Sequence, residues 1–266
     1  MKQKKISKVK SFKLKSVGVA FVGFVGLVGL VSQSAQAQTN PDGEWHGRVV
    51  IGGSYASSNT NVQTFNALAD ATRATQLDKT SLYTLANYGS NTSNTVRNTT
   101  AKLFRVGGRY DYNLSADSFY FGGGEFENNQ PQNIQSRYLV NTGAGYKMIR
   151  TPETSFDVFY GLGYAETEFS RFKPPQPGIV KGIELLLGEE SSHKINSTSS
   201  FKQKWVIYPS TSNNNGYRST IDMGLATVVA NGWTLNVGVN MSYVSKPSAG
   251  FPKTSRVISF GFGYKY

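Results

Sequence analysis

From Ile258 to Tyr266, within the last thirteen residues Thr254 to Tyr266, the chain alternates strictly. Ile258, Phe260, Phe262, Tyr264 and Tyr266 take one set of positions, and Ser259, Gly261, Gly263 and Lys265 take the other. Successive side chains of a β-strand point to opposite faces, so this spacing gives one greasy face and one small or polar face. A half-buried strand of a soluble sandwich shows the same pattern. Here the rings crowd the end of the chain, where an unprotected soluble edge would invite pairing with other molecules. The alternation also recurs along the whole sequence.

Alternation and turn chemistry predict twelve strands, at 45–55, 62–75, 80–90, 100–112, 118–128, 134–148, 155–168, 180–190, 199–208, 217–229, 233–245 and 254–266. The clearest apolar faces are Val49/Ile51/Tyr55, Phe104/Val106/Tyr110/Tyr112, Tyr138/Val140/Ala144/Tyr146 and Phe156/Val158/Tyr160/Leu162/Tyr164. In the segment from Trp233 to Tyr243, two aromatic residues bracket Leu235, Val237, Val239 and Met241. That order matches an aromatic girdle around an apolar band. The second, third, fifth and eighth strands have no clear face.

The chain opens differently. Seven lysines among the first fifteen residues precede an uncharged apolar run from Val17 to Val31, and Ala35-Gln36-Ala37 has small-x-small spacing. This is the layout of a cleaved secretory signal peptide, so residues 1–37 are expected to be removed and 38–266 to form one domain. The leader carries no acid. Its loss takes 28 basic residues to 21 against 16 acids, and the net charge from +12 to +5. A nucleic-acid partner thereby loses its main support. There is no cysteine, so neither a disulfide framework nor a thiolate metal site is available.

No apolar run after the leader approaches a spanning helix, and the mean hydropathy is −0.35. A closed barrel still crosses a bilayer with such a sequence, because it satisfies its backbone internally and needs only alternate residues to be apolar. The predicted fold is therefore an all-β, up-and-down antiparallel transmembrane β-barrel of about twelve strands. A lipocalin-like or sandwich protein of the periplasm is the main rival. An even strand number puts both termini on one side, the periplasm for outer-membrane barrels. Turns on that side are expected at Gln76–Lys79, Asn113–Asp117, Ile149–Thr154, around Ser191–Ser197 and at Ala230–Gly232. The longest outer loop is expected at Phe169–Ile179.

The other face of the strands should line the lumen. It carries Arg48, Arg105, Arg109, Asp111, Arg137, Lys147, Asp157, Lys202, Lys204, Arg218 and Asp222, with Asn236, Asn240 and Lys265. Facing lipid, each Arg or Lys at the midplane would cost about 2–4 kcal/mol. Facing water or counter-charges they are stable. Glycines such as Gly52, Gly107, Gly143, Gly145, Gly161, Gly163, Gly238, Gly261 and Gly263 are expected to thin the lumen wall and ease curvature.

The order of several motifs resembles the salt-induced outer-membrane protein family, catalogued as a domain of unknown function. These are Trp45-x-Gly47, Ser58-Asn59-Thr60, Tyr110-Asp111-Tyr112 before Leu114-Ser115, Gly143-Ala144-Gly145-Tyr146 and Tyr160-Gly161-Leu162-Gly163-Tyr164. Ser58 departs from the family's glycine, and Asn128 or Asn129 stands where an acid is expected. The resemblance implies an outer-membrane barrel with no settled activity. The ending also resembles the terminal strand of bacterial outer-membrane barrels. That likeness implies that Phe260, Phe262, Tyr264 and Tyr266 are read as an insertion signal by the barrel-assembly machinery.

Chemistry needs a constellation, and none emerges. The two histidines, His46 and His193, fall near the periplasmic rim outside any justified Ser/His/Asp arrangement. Glu189-Glu190 beside His193 reads as a solvated turn rather than a metal site. Gly122-Gly123-Gly124 lacks the helix that a phosphate loop requires. No catalytic residue, cofactor or metal is expected; the expected partners are outer-membrane lipids, the assembly machinery and small solutes. Three functions remain: a narrow passive pore with a basic lumen, a closed envelope-stress barrel with a salt-bridged lumen, and a lipid-modifying or proteolytic barrel.

Overall fold

The computed structural model describes residues 41–56, 60–93, 96–172, 177–211 and 216–266. The proposed leader, Ser58-Asn59 and Lys173–Gln176 lie outside them. The strands are β1 (Trp45–Ala56), β2 (Thr60–Ala74), β3 (Asp78–Ser93), β4 (Val96–Asn113), β5 (Ser118–Asn129) and β6 (Ile134–Arg150). They continue with β7 (Thr154–Phe169), β8 (Ile179–Lys194), β9 (Ser199–Pro209), β10 (Tyr217–Ala230), β11 (Trp233–Val244) and β12 (Thr254–Lys265). Each pairs antiparallel with its chain neighbours, and β1 pairs with β12 to close the sheet. The twelve-stranded closed barrel read from alternation is the fold observed. One short 3-10 turn, η1 (Gln130–Gln132), interrupts the β5–β6 connection.

The start of β1, the end of β12 and five tight turns share one end of the barrel, here the turn end. Small polar side chains build those turns by accepting backbone N–H groups. Thr75 Oγ1 accepts from Leu77 and Asp78, each at 3.1 Å. Ser115 Oγ accepts from Ser118 at 3.0 Å, Thr151 Oγ1 from Thr154 at 2.9 Å, and Asn196 Oδ1 from Ser199 at 2.8 Å. At the last turn Gly232 has φ +72°, a conformation that favours glycine. The eighth strand runs on to Lys194, so Glu189, Glu190 and His193 belong to β8 and not to the expected turn.

Register fixes the faces, because directly opposed residues share a side of the sheet. Arg48 opposes Asp70 and Lys265, which puts Val49, Ile51, Phe262 and Tyr264 on the outer wall. Phe104, Val106, Tyr138, Val140, Tyr160, Leu162, Leu235, Ile258 and Phe260 stand there too, all exposed. A continuous apolar exterior of this kind has lipid as its solvent. The β1–β12 seam is short. It holds four opposed pairs, Arg48–Lys265 to Ile51–Phe262. Two reciprocal backbone bonds between Gly47 and Tyr266, both 3.1 Å, extend it at the turn end.

Candidate functional site

All eleven charged residues singled out in the sequence take inward register positions. The structure does not make them one site. It divides the lumen into an apolar half, a set of ion pairs across the bore, and a polar wall.

The apolar half corrects the expectation of a polar inner face. Phe119 and Phe121 of β5, Leu139 of β6, Phe159 of β7, Leu186 of β8 and Val206 of β9 pack inside the barrel as one cluster. Phe119 and Phe121 lie 6.5 Å apart by centroid, and Phe121 meets Phe159 edge-on at 5.8 Å. Glycines on this side act as sockets rather than spacers. A Cβ on Gly145 would lie 2.2 Å from Phe119 Cζ, one on Gly143 2.7 Å from Phe121 Cζ, and one on Gly188 2.6 Å from Phe159. The Arg109 guanidinium lies over all three rings at 5.0–5.6 Å. Asp111 holds it at 2.6 and 3.0 Å, and Glu190 stands 3.5 Å away. A cation over aromatic faces and beside carboxylates is a stable way to keep charge inside a barrel.

Above this cluster, ion pairs cross the bore. Arg105 of β4 bonds both oxygens of Asp222 on β10 at 2.6 Å, and Asn240 donates to the same carboxylate at 2.8 Å. Arg218 of β10 pairs with Glu127 of β5, which also accepts from Asn129 at 2.8 Å. Arg137 meets Glu184 at 2.6 Å and Thr167 at 3.0 Å. Tyr83 donates to Glu125. Between these layers lies a void of about 40 Å³, lined by Tyr83, Arg109, Phe121, Glu125 and Lys204 among others. At the loop end η1 reaches inward. Gln132 Nε2 donates to the Ser242 carbonyl at 3.0 Å, and Ser242 Oγ donates back to Gln132 Oε1 at 2.8 Å. A cavity of about 490 Å³ lies at this end beside η1, lined by Thr99, Lys102, Asn133, Arg171 and Phe251 among others.

The polar wall spans β10 to β2. On the inner face Gly224 opposes Gly238 between β10 and β11, while Gly261 and Gly263 of β12 oppose Asn236 and Thr234 of β11. Arg48 reaches over it, bonding Asp70 at 2.7 Å and Asn236 at 3.2 Å. Lys202, Lys204 and Lys265 have no carboxylate within ion-pair distance among the described residues. Lys147 bonds Asn113 at 2.8 Å, and Asp157 pairs with Arg150 at 2.5 Å, both towards the turn end. Sequence reasoning missed Asp70, Glu127, Glu184 and Glu190, which pair with these cations, and Glu125, which accepts from Tyr83. Four of the five sit on β5 and β8, and Asp70 is on β2, where no face was legible. An inward row of arginines demands buried carboxylates, and that demand was the available signal.

Among the described residues, neither histidine joins a catalytic group. His46 Nε2 meets Asp42 at 2.8 Å without a nucleophile, and His193 Nδ1 meets Thr154 at 2.7 Å without an acid. The Glu44 amide and the His46 ring hold the Asp42 carboxyl below its usual range. Among the described residues, no group of three His, Asp or Glu is placed to hold a metal ion.

Residues 49–266 match the family described as "Protein of unknown function, DUF481". The chain belongs to the DUF481 family. No curated protein matches it in sequence. Among solved structures it is similar to the NanC porin, at 14% identity and a TM-score of 0.46, covering 82% of this chain and 98% of that one. The translocator domain of autotransporter NalP from Neisseria meningitidis gives 10% identity and a TM-score of 0.43, with 84% and 87% covered. A bacterial polysaccharide outer membrane secretin gives 9% and 0.42, with 84% and 99% covered.

Proposed function

We propose that this DUF481 barrel is a narrow outer-membrane channel for small anionic solutes, with both termini in the periplasm. The observation that carries the reading is the division of the lumen. One half is filled by rings, while the other is a glycine-thinned wall facing lysines that lack carboxylate partners among the described residues. A low-dielectric wall beside unpaired positive charge raises the local concentration of anions. The cross-bore ion pairs and the inward η1 turn then act as the constriction, and Phe260, Phe262, Tyr264 and Tyr266 serve the assembly machinery.

Planar-bilayer recording with purified protein tests this reading. A channel gives discrete current steps and a reversal potential displaced towards the anion in a salt gradient. Silence, or a cation-selective current, overturns it. The Arg105–Asp222 and Arg218–Glu127 pairs favour a second reading, a closed barrel whose lumen is a structural ion-pair network. That reading is silent in the same recording. No catalytic role is proposed for His46 or His193.

A further inference from the structure

The turn-end half of the lumen holds three cations, Arg48, Lys202 and Lys265, of which Arg48 alone has an ion-pair partner among the described residues. Arg48 crosses from β1 and bonds Asp70 through Nε at 2.7 Å and Asn236 through a terminal nitrogen at 3.2 Å. Its other terminal nitrogen lies 4.0 Å from where a Gly224 Cβ would stand. Gly224 is the β10 residue opposite Lys202 of β9, so the guanidinium arrives at the position of that lysine. Lys265 is opposite Arg48 across the β1–β12 seam. The charges of Asp70, Arg48, Glu190 and Lys265 all act on Lys202. Glu190 is shared with Arg109 at 3.5 Å, and among the described residues Asp70 is the only carboxylate bonded to the cluster. Lys202 is itself exposed within the lumen, as a side chain reaching water would be.

Three cations with one carboxylate leave two positive charges in a walled-off space. A single chloride offsets half of that. A compact oxyanion carrying two charges offsets all of it, and its several oxygens accept from a planar guanidinium and two ammonium groups at once. We infer that Arg48, Lys202 and Lys265 form a binding site for a doubly charged oxyanion of the phosphate or sulfate class. The barrel wall separates the site from the bilayer, so the occupant is a free solute. This inference deepens the channel reading and rests on it for the route by which the solute arrives.

The test is isothermal titration of the folded, full-length protein in detergent with sodium phosphate and sodium sulfate, holding ionic strength constant with sodium chloride. The expected result is saturable binding of one oxyanion per barrel. Lys202→Gln and Lys265→Gln should each weaken it about tenfold or more, as loss of one charged hydrogen bond implies. Lys202→Arg should restore it. Lys181→Gln should not change it, since Lys181 points outward and pairs with Glu166 at 3.0 Å. Retention of the compact, heat-sensitive electrophoretic form establishes that each variant is folded. No saturation, or wild-type affinity in both glutamine variants, overturns the site. Oxyanion binding without bilayer current removes the channel and keeps the site; current without oxyanion binding does the reverse.

Discussion

The ring of Tyr266 lies on the backbone of Gly47. A Cβ added to Gly47 would come within 2.6 Å of the Tyr266 hydroxyl and 2.8 Å of Cζ, and the two residues also exchange backbone bonds of 3.1 Å. Trp45-x-Gly47 thus has a mechanical meaning: the glycine is where the closing strand seats its ring. Gly47→Val should cost about 1–3 kcal/mol through overpacking. It acts at the shortest seam of the barrel, so the heat-modified electrophoretic shift should move to lower temperature. An unchanged shift contradicts this role.

The Arg218–Glu127 pair is buried on both sides, with side-chain exposures of 8% and 1%. Glu127→Gln leaves a guanidinium without its counter-charge and should destabilise the fold by about 3–5 kcal/mol. A double replacement, Glu127→Leu with Arg218→Met, should recover most of that loss. Urea unfolding from detergent micelles, followed by tryptophan fluorescence, measures both.

Gln132 ties η1 to Ser242 through two hydrogen bonds across the loop end. In a channel this tie narrows the mouth, so Gln132→Ala should raise single-channel conductance while leaving anion preference intact. Equal conductance in the variant places the constriction elsewhere, at the Arg105–Asp222 level.

The two faces of β12 should respond oppositely to charge. Phe260 is 64% exposed on the outer wall. Phe260→Arg should cost about 2–4 kcal/mol if the residue lies near the bilayer midplane. Ser259 faces the lumen beside Gly238, and Ser259→Arg should be much milder. Folding yield into lipid vesicles compares them; equal losses contradict the assigned faces.

Phe159 joins the three-ring stack beneath Arg109 and is 5% exposed. Phe159→Ala should cost about 3–5 kcal/mol, as large-to-small changes in a packed core do. The void it leaves should also widen the bore, which a rise in conductance would report.

Sequence made the wall of this barrel readable strand by strand. A strand repeats every two residues whatever surrounds it, so Phe104, Val106 and Tyr110 announced an outer face, and Arg105 and Arg109 an inner one, with no knowledge of neighbours. The reading failed where both faces are apolar. On β5, Phe119 and Phe121 point inward while Tyr120 and Phe126 point outward, and alternation cannot tell filling from lipid contact.

Turn chemistry was equally local: Thr75, Ser115, Thr151 and Asn196 fold back on amides two or three residues away. What lies across the lumen is different. Arg105 finds Asp222 on a strand over a hundred residues later, and that meeting depends on how far the strands shear when the sheet closes. The sequence by itself determined the barrel, its two faces and its inward charges, because strand period and turn geometry are properties of short segments. Only closure decided which charges cancel, which glycines receive rings, and which three cations stand together, because those distances exist only after β1 has met β12.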